Sequence, residues 1–401
     1  MSQLLVTGPC EPGPQASSAS APAARMTVEL TQDLGLRPED AASLETLIEG
    51  HPSLGVFLSN AWLSGFFAEP PTGFEPSLAL LREGNALRGV APIALRDTLT
   101  HRRVGLVGGG MGSDRIDLLA ARGFEAVCAD AFLSWLGEAF GGRAFVLELR
   151  DVPADSPLWG AVHRAGVERT QPLALQPREI HTLPYLDLVE PWTSAIDAAP
   201  PARSLRSLDK HRRWLERRCR LRIDLLENLS EVMDAFESLA RFLHARWRDR
   251  DRGSILDNPR TLRFHRHVLP LLLSEKRLRM IRLSADARTI AVFYGLASGR
   301  WWGYYLAGYD REWAGRIHLG QIALATAIEF ASKEGATEFD FLKGADRVKY
   351  LWPVRERATL DADVYSEGPG AQFKRVTRAT RDAAAALAKS GRDLFLKRLH
   401  P

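Results

Sequence analysis

The chain has 401 residues, 45% of them hydrophobic and 25% charged. That globular composition can bury sizeable cores without disulfides or a structural metal. Its formal charge is +4, small beside 53 basic and 49 acidic residues, which permits anionic ligands such as phosphates but does not argue for nucleic acid.

The three cysteines, Cys10, Cys128 and Cys219, are scattered. They suit a reducing compartment and show no metal-ligand spacing. No apolar run is long enough to span a bilayer, and the N-terminus lacks the charged and apolar regions of a signal peptide. A cytoplasmic protein without stable membrane insertion is expected, with two domains at this length.

Residues 1–26 read as a disordered tail rich in Ala, Ser, Pro and Gly. Met26 is a second candidate start, because ordered patterning begins just after it. Pro38, Glu39 and Asp40 open a helix, the acids complementing its dipole. A second helix is expected over Val56 to Phe67. Strands follow at Ser77 to Arg82, Ala86 to Leu95 and Arg103 to Val107, then a glycine-rich turn from Gly108 to Gly112. A helix covers Glu125 to Phe140 and a strand Ala144 to Leu149. Further strands fall near Val167 to Leu173 and Thr182 to Leu188. The Pro-rich segment Ala198 to Ala202 reads as a linker.

Beyond it lies a very basic helix, Arg203 to Cys219, and a strand, Leu221 to Leu226. Helices are expected at Ser230 to Arg248 and Pro259 to Leu273. A meander follows: Leu278 to Leu283, Thr289 to Ala297 and Trp301 to Tyr309. A helix from Gly320 to Lys333 stops at Gly335, a sensible C′ glycine. Thr337 to Leu342 reads as a buried strand, Asp346 to Trp352 as a short helix and Ala358 to Tyr365 as a last strand. An Ala-rich and Arg-rich amphipathic helix occupies 370–401.

The halves repeat each other weakly. "LALLREGNALRGVAPIALRD" aligns with "RMIRLSADARTIAVFYGLAS", each a strand, a polar turn and a strand. "AFLSWLGEAFGGRAFVLELRD" aligns with "ALATAIEFASKEGATEFDFLK", each a helix, a glycine and a buried strand. The shared order of elements favours a diverged duplication.

The segment from Trp301 to Trp352 carries the strongest chemical signal. The loop ending in "IHLGQ" leads into a helix, whose N-terminal N–H groups suit phosphate. Gly320 lets a ligand approach the backbone, and Arg316 adds a charge-assisted contact. Leu319 and Gln321 complete this candidate cofactor site. His318 stands where a proton relay would, with a capping or core role as the rival. Trp302 and Tyr304 share one strand face. They are either plain core or the floor of an acyl pocket. The basic helix, with Arg212 and Arg213, is a solvated face or an anion site. Gly108 to Gly112 lacks the spacing of a dinucleotide site.

"HLGQIALATAIEFASKEGATEFDFLKGADRVKYLWPVRERATLDADVYS" resembles the CelD/BcsL-type acyltransferases linked to cellulose and exopolysaccharide synthesis. "FLSNAWLSGFF", "LRGVAPIAL", "LVGGGMGSDRIDLL" and "RSLRSLDKHRRWLERRCRLRIDLLE" look like that family's other blocks. The resemblance thus extends from Thr27 to Ser366. It departs at His318-Leu319, where family members often have a small residue and a proline.

The resemblance implies an α/β (α+β) fold of tandem GNAT-like domains, related to the Fem-type aminoacyltransferases, with mixed central sheets flanked by helices. It implies a degenerate N-terminal domain over 27–197 and a GNAT acyltransferase domain over 203–367. The implied activity is N-acyl transfer from acetyl-CoA or another acyl-CoA, without a metal, to an amine of a sugar, polysaccharide or cell-envelope precursor. Asp340 would be the base or orient the ligand, unless it is a structural partner of Lys343 or Lys349. Lys349 would contact a phosphate or polarise the acyl carbonyl, a surface salt bridge being the rival. Two alternatives stay open: a catalytically decayed scaffold of exopolysaccharide synthesis, and Fem-like aminoacyl transfer.

Overall fold

The computed structural model describes residues 26–140, 143–167, 173–188, 202–248, 253–314, 317–344, 346–367 and 375–376. The expected N-terminal tail before Met26 and the Pro-rich linker up to Pro201 lie outside these residues, as does the expected C-terminal helix apart from 375–376.

The first half comprises β1 (Met26–Thr31), α1 (Pro38–Gly50), α2 (Pro52–Gly55), a 3-10 turn (Val56–Leu58) and α3 (Asn60–Ala68). It continues with β2 (Glu75–Glu83), β3 (Ala86–Asp97), β4 (Arg102–Leu106), β5 (Leu119–Ala120), α4 (Glu125–Ala139), β6 (Phe145–Pro153), α5 (Pro157–Val167) and β7 (Ala174–Asp187). The second half opens with α6 (Ala202–Glu216), β8 (Leu221–Leu226), α7 (Leu229–Arg248) and α8 (Pro259–Ser274). It ends with β9 (Leu278–Ala285), β10 (Arg288–Ser298), β11 (Trp301–Tyr309), α9 (Arg311–Ala314), α10 (Leu319–Lys333), β12 (Glu338–Asp340) and β13 (Arg355–Tyr365).

Local chemistry sets the boundaries. The Ser59 side chain accepts the Trp62 N–H and caps α3, while Asn258 caps α8 with Pro259 following it. The β9–β10 turn needs positive φ at Asp286 and Ala287, +47° and +68°, as a two-residue hairpin turn of the I′ kind does. Asp40, expected as a partner of the helix dipole, instead receives both Arg82 terminal nitrogens at 2.7 and 2.8 Å. That buried pair ties α1 to β2, and the guanidinium holds the Asp40 carboxyl down to about 2.

The strands form one mixed sheet in the order β1-β2-β3-β4-β6-β13-β7-β12-β11-β10-β9-β8, with β5 attached to β3. Only β4–β6 and β11–β12 pair in parallel among the named strands. The last strand of each half crosses into the other. β7 lies beside β12, β13 lies beside β6, and β13 pairs with β7 along its whole length. The hairpin β2–β3 corresponds to β9–β10, and α4–β6 to α10–β12, as the repeated segments suggested.

One hydrophobic core fills the first half and continues under α7 and α8 through Phe236, Leu239, Phe264 and Val268. A second lies between α10 and the other sheet face, with Phe293, Trp302, Phe339 and Ile322. The halves approach closely at Gly65 of α3. A Cβ there would meet Phe264 and Val268 of α8 at 2.5 Å.

Some elements differ from expectation. Val167 ends a helix, α5, rather than starting a strand, and β7 is one long strand. A 3-10 turn over Lys349–Leu351 replaces the expected helix at 346–352. β12 stops at Asp340 because Leu342, with φ +56°, turns the chain out of the sheet.

Candidate functional site

The parallel pairing of β11 and β12 covers only Trp301–Gly303 against Glu338–Asp340. Beyond it β12 ends, while β11 continues to Tyr309 alongside β10. The β10 register shifts there: Tyr294 faces Leu306 and Gly295 faces Tyr304. Tyr305 is therefore the extra residue of a bulge, which increases the local bend. The two strands open as a V, and among the described residues the β11 backbone beyond Gly303 has no ladder partner on its β12 side. Those N–H and C=O groups are available to a ligand.

On the α10 side of the V lies a cleft of about 300 Å³, lined by Tyr304, Ala307, Tyr309, Arg246, Asp346, Arg347 and the first residues of α10. Among the described residues no side chain caps α10, whose N-cap position is His318. Leu319, Gly320 and Gln321 line the cleft, so the open N–H groups of the helix start bear on it. A Cβ on Gly320 would come within 3.1 Å of the Tyr309 ring. Glycine thus keeps both the ring position and the helix start accessible.

The structure separates the expected site residues. His318, Leu319, Gly320, Gln321 and Tyr304 line this one cleft. Arg316 lies outside the described residues. Tyr304 stacks on Phe293 at 5.4 Å between ring centroids, whereas Trp302 on the same face is sealed in the core. His318 is exposed at the mouth, its ring 5.2 Å from that of His211 on α6. Arg212 is near two carboxylates, 3.3 Å from Glu216 and 3.6 Å from Glu329. Arg213 is exposed on the same helix, and neither arginine lines the cleft.

Lys349 forms no surface salt bridge among the described residues, against the rival reading of it. Its ammonium is buried and donates to the carbonyls of Phe341, Leu342 and Lys343 at 2.8, 3.3 and 2.9 Å. Burial pulls its pKa below the ordinary lysine value. It holds the turn after β12, with Nζ 5.8 Å from the centre of the cleft-lining Tyr304 ring. Asp340 pairs with neither lysine expected of it. One oxygen accepts the Leu342 N–H at 2.8 Å, and the other lies 3.7 Å from Arg357. Its side chain is fully sealed. Cys128 is buried and its thiol is pushed up to about 12, unlike a nucleophile.

Sequence reasoning missed the other side of the V. The glycine turn after β4 has φ of +92°, +70° and +120° at Gly108, Gly110 and Gly112, conformations that favour glycine. It brings Asp114 against Lys343, whose N–H donates to the carboxylate at 3.0 Å. The run "GGGMGSD" was the available signal, a tight turn ending in an acid. Nearby, Asp151, His181 and Asp361 present ligand-type atoms within 4.8 Å of one another. Asp151 is already engaged by Lys343 Nζ at 2.7 Å and the Gly110 N–H at 2.8 Å. The Asp151 N–H in turn occupies Asp361 at 2.8 Å.

Residues 202–350 match the family described as an acetyltransferase (GNAT) domain. No curated protein matches the chain. Among solved structures, FemX is similar with a TM-score of 0.59 at 10% identity, over 87% of this chain and 99% of its own. A conserved protein of unknown function from Bacteroides thetaiotaomicron VPI-5482 gives 0.53 at 9% identity, over 85% and 100%. A tandem GNAT protein from the clavulanic acid biosynthesis pathway covers 86% and 99% at 14% identity and 0.43. The likeness to FemX and the Bacteroides protein concerns the fold. The expected mixed α/β architecture stands on that likeness, and the family match over residues 202–350 supports the expected acyltransferase class.

Proposed function

We propose that the protein is an acyl-CoA-dependent N-acyltransferase whose acceptor is an amine of a sugar, polysaccharide or cell-envelope precursor. The observation that carries this reading is the uncapped start of α10 opening on a cleft beside the V of β11 and β12. The diphosphate of the donor would sit on the N–H groups of Leu319, Gly320 and Gln321, with Arg246 and Arg347 as neighbouring cations. The thioester would reach the V, where the unpaired β11 backbone offers N–H groups to a developing oxyanion. The sugar or envelope acceptor, and the CelD/BcsL-type assignment, are supported by the sequence blocks "LVGGGMGSDRIDLL" and "FLSNAWLSGFF".

Calorimetry with acetyl-CoA tests the placement. The wild type should bind, and Gly320→Val should bind at least about tenfold more weakly, because its side chain meets Tyr309 and covers the helix start. Equal affinity for both proteins would rule out this site.

A further inference from the structure

The N-terminal half does more than support the sheet. Its glycine turn touches both arms of the V from the face opposite α10. A Cβ on Gly112 would stand 3.2 Å from the Tyr305 hydroxyl, on β11. Two residues later, Asp114 accepts the backbone N–H of Lys343, just beyond β12. Trp62 fixes the turn by donating Nε1–H to Ser113 at 2.9 Å, and Trp62 itself packs on Tyr305 with ring centroids 5.3 Å apart.

Two other carboxylates near the V are excluded on geometry. Asp340 is sealed, and both oxygens of Asp151 are engaged. Asp346 lines the cleft on the α10 side. Asp114 retains accessible surface, and its second oxygen has no partner among the described residues.

We propose that Asp114 is the base that takes the proton from the acceptor amine, so that the first half supplies a catalytic residue to a reaction held by the second. This rests on the acyl-transfer reading above. An ammonium acceptor gives one proton to the Asp114 carboxylate. The free nitrogen attacks the thioester carbonyl, the N–C bond forms, and the C–S bond breaks with its electron pair going to sulfur. The excess proton on nitrogen passes to the departing sulfur, and Asp114 releases its own to solvent.

The carboxyl is suited to this near neutrality. Burial pushes it up to about 6, with Asp151 adding to the rise and the Lys343 N–H, Lys349 and Lys343 opposing it. Tyr305 faces it from β11.

The full chain is titrated by carboxyl carbon NMR, with Asp114→Asn identifying the signal. The midpoint near 6 should move when acetyl-CoA is added. With glucosamine as the probe amine, thiol release at pH 7 should fall roughly 100-fold or more in Asp114→Asn, and Asp114→Glu should restore part of it. Asp114→Asn keeps an oxygen for the Lys343 N–H and should still bind acetyl-CoA, its affinity differing from the wild type by no more than the factor that the shift of the Asp114 midpoint dictates. A carboxyl titration indifferent to bound acetyl-CoA would overturn the assignment, as would an asparagine variant with the wild-type pH profile. Failure of the wild type to bind acetyl-CoA would instead overturn the acyl-transfer reading beneath it.

Discussion

At the scale of the residue, buried charges near the V divide by what already satisfies them. The family resemblance implied that Lys349 contacts a phosphate or polarises the acyl carbonyl, with a surface salt bridge as the rival. In the fold its ammonium serves three carbonyls of the turn after β12. Sequence carries the residue type but not the partners, and a lysine three residues before a tryptophan reads the same in either role. Lys349→Met keeps most of the stem and removes every donor. Leaving buried carbonyls unsatisfied costs roughly 1–3 kcal/mol, so the urea unfolding midpoint should fall measurably. A variant that unfolds like the wild type but has lost turnover would return this ammonium to the chemistry. Asp114 shows the reverse case. The run "GGGMGSD" marks a tight turn ending in an acid but not its partner, because that acid's place is set by Lys343, far away in sequence.

At the scale of the element, what sequence revealed depended on whether a local pattern sufficed. The hairpins β2–β3 and β9–β10, the strand β11 and the helix α10 announce themselves through periodicity and glycine punctuation. α5 did not, and neither did the full length of β7. β7 contains Pro177 and Pro184, and its first residues alternate between half-buried and exposed positions, so no apolar run marks it as interior to a sheet. Its place is set by the strands on either side, which periodicity does not encode. The crossing of α3 with α8 is similar: Gly65 looks like a weak point in a helix until Phe264 and Val268 are seen against it. Gly65→Ala should improve local helix propensity by up to about 1 kcal/mol. It should nevertheless destabilise the protein by roughly 1–3 kcal/mol, because the added carbon overlaps two packed side chains. Denaturant unfolding decides between the two effects, and a stabilised variant would mean that the helices separate at little cost.

At the scale of the whole molecule, the exchange of β7 and β13 binds the halves more closely than a linker between tandem domains suggests. β12 has only three residues, flanked by β11 on one side and β7 on the other. β13 reaches back between β7 and β6. A fragment beginning at Ala198 would retain the α10 cleft in sequence but lose β7. Its β12 edge and both edges of β13 would be left without partners, and unpaired edges promote aggregation. Apolar surface under α8 would be uncovered as well, since Phe264 and Val268 share a core with Trp62 and Phe66 of the first half. The fragment 198–401 should therefore be poorly soluble or fail to melt cooperatively. A longer fragment beginning before Ala174 should recover part of the sheet but not the α3–α8 contact, nor the turn carrying Asp114. Soluble yield, thermal melting and acetyl-CoA calorimetry on the two fragments and the full chain measure this. If 198–401 melts cooperatively at the temperature of the full chain and binds acetyl-CoA with the same affinity, the exchanged strands are dispensable and the second half is an autonomous domain.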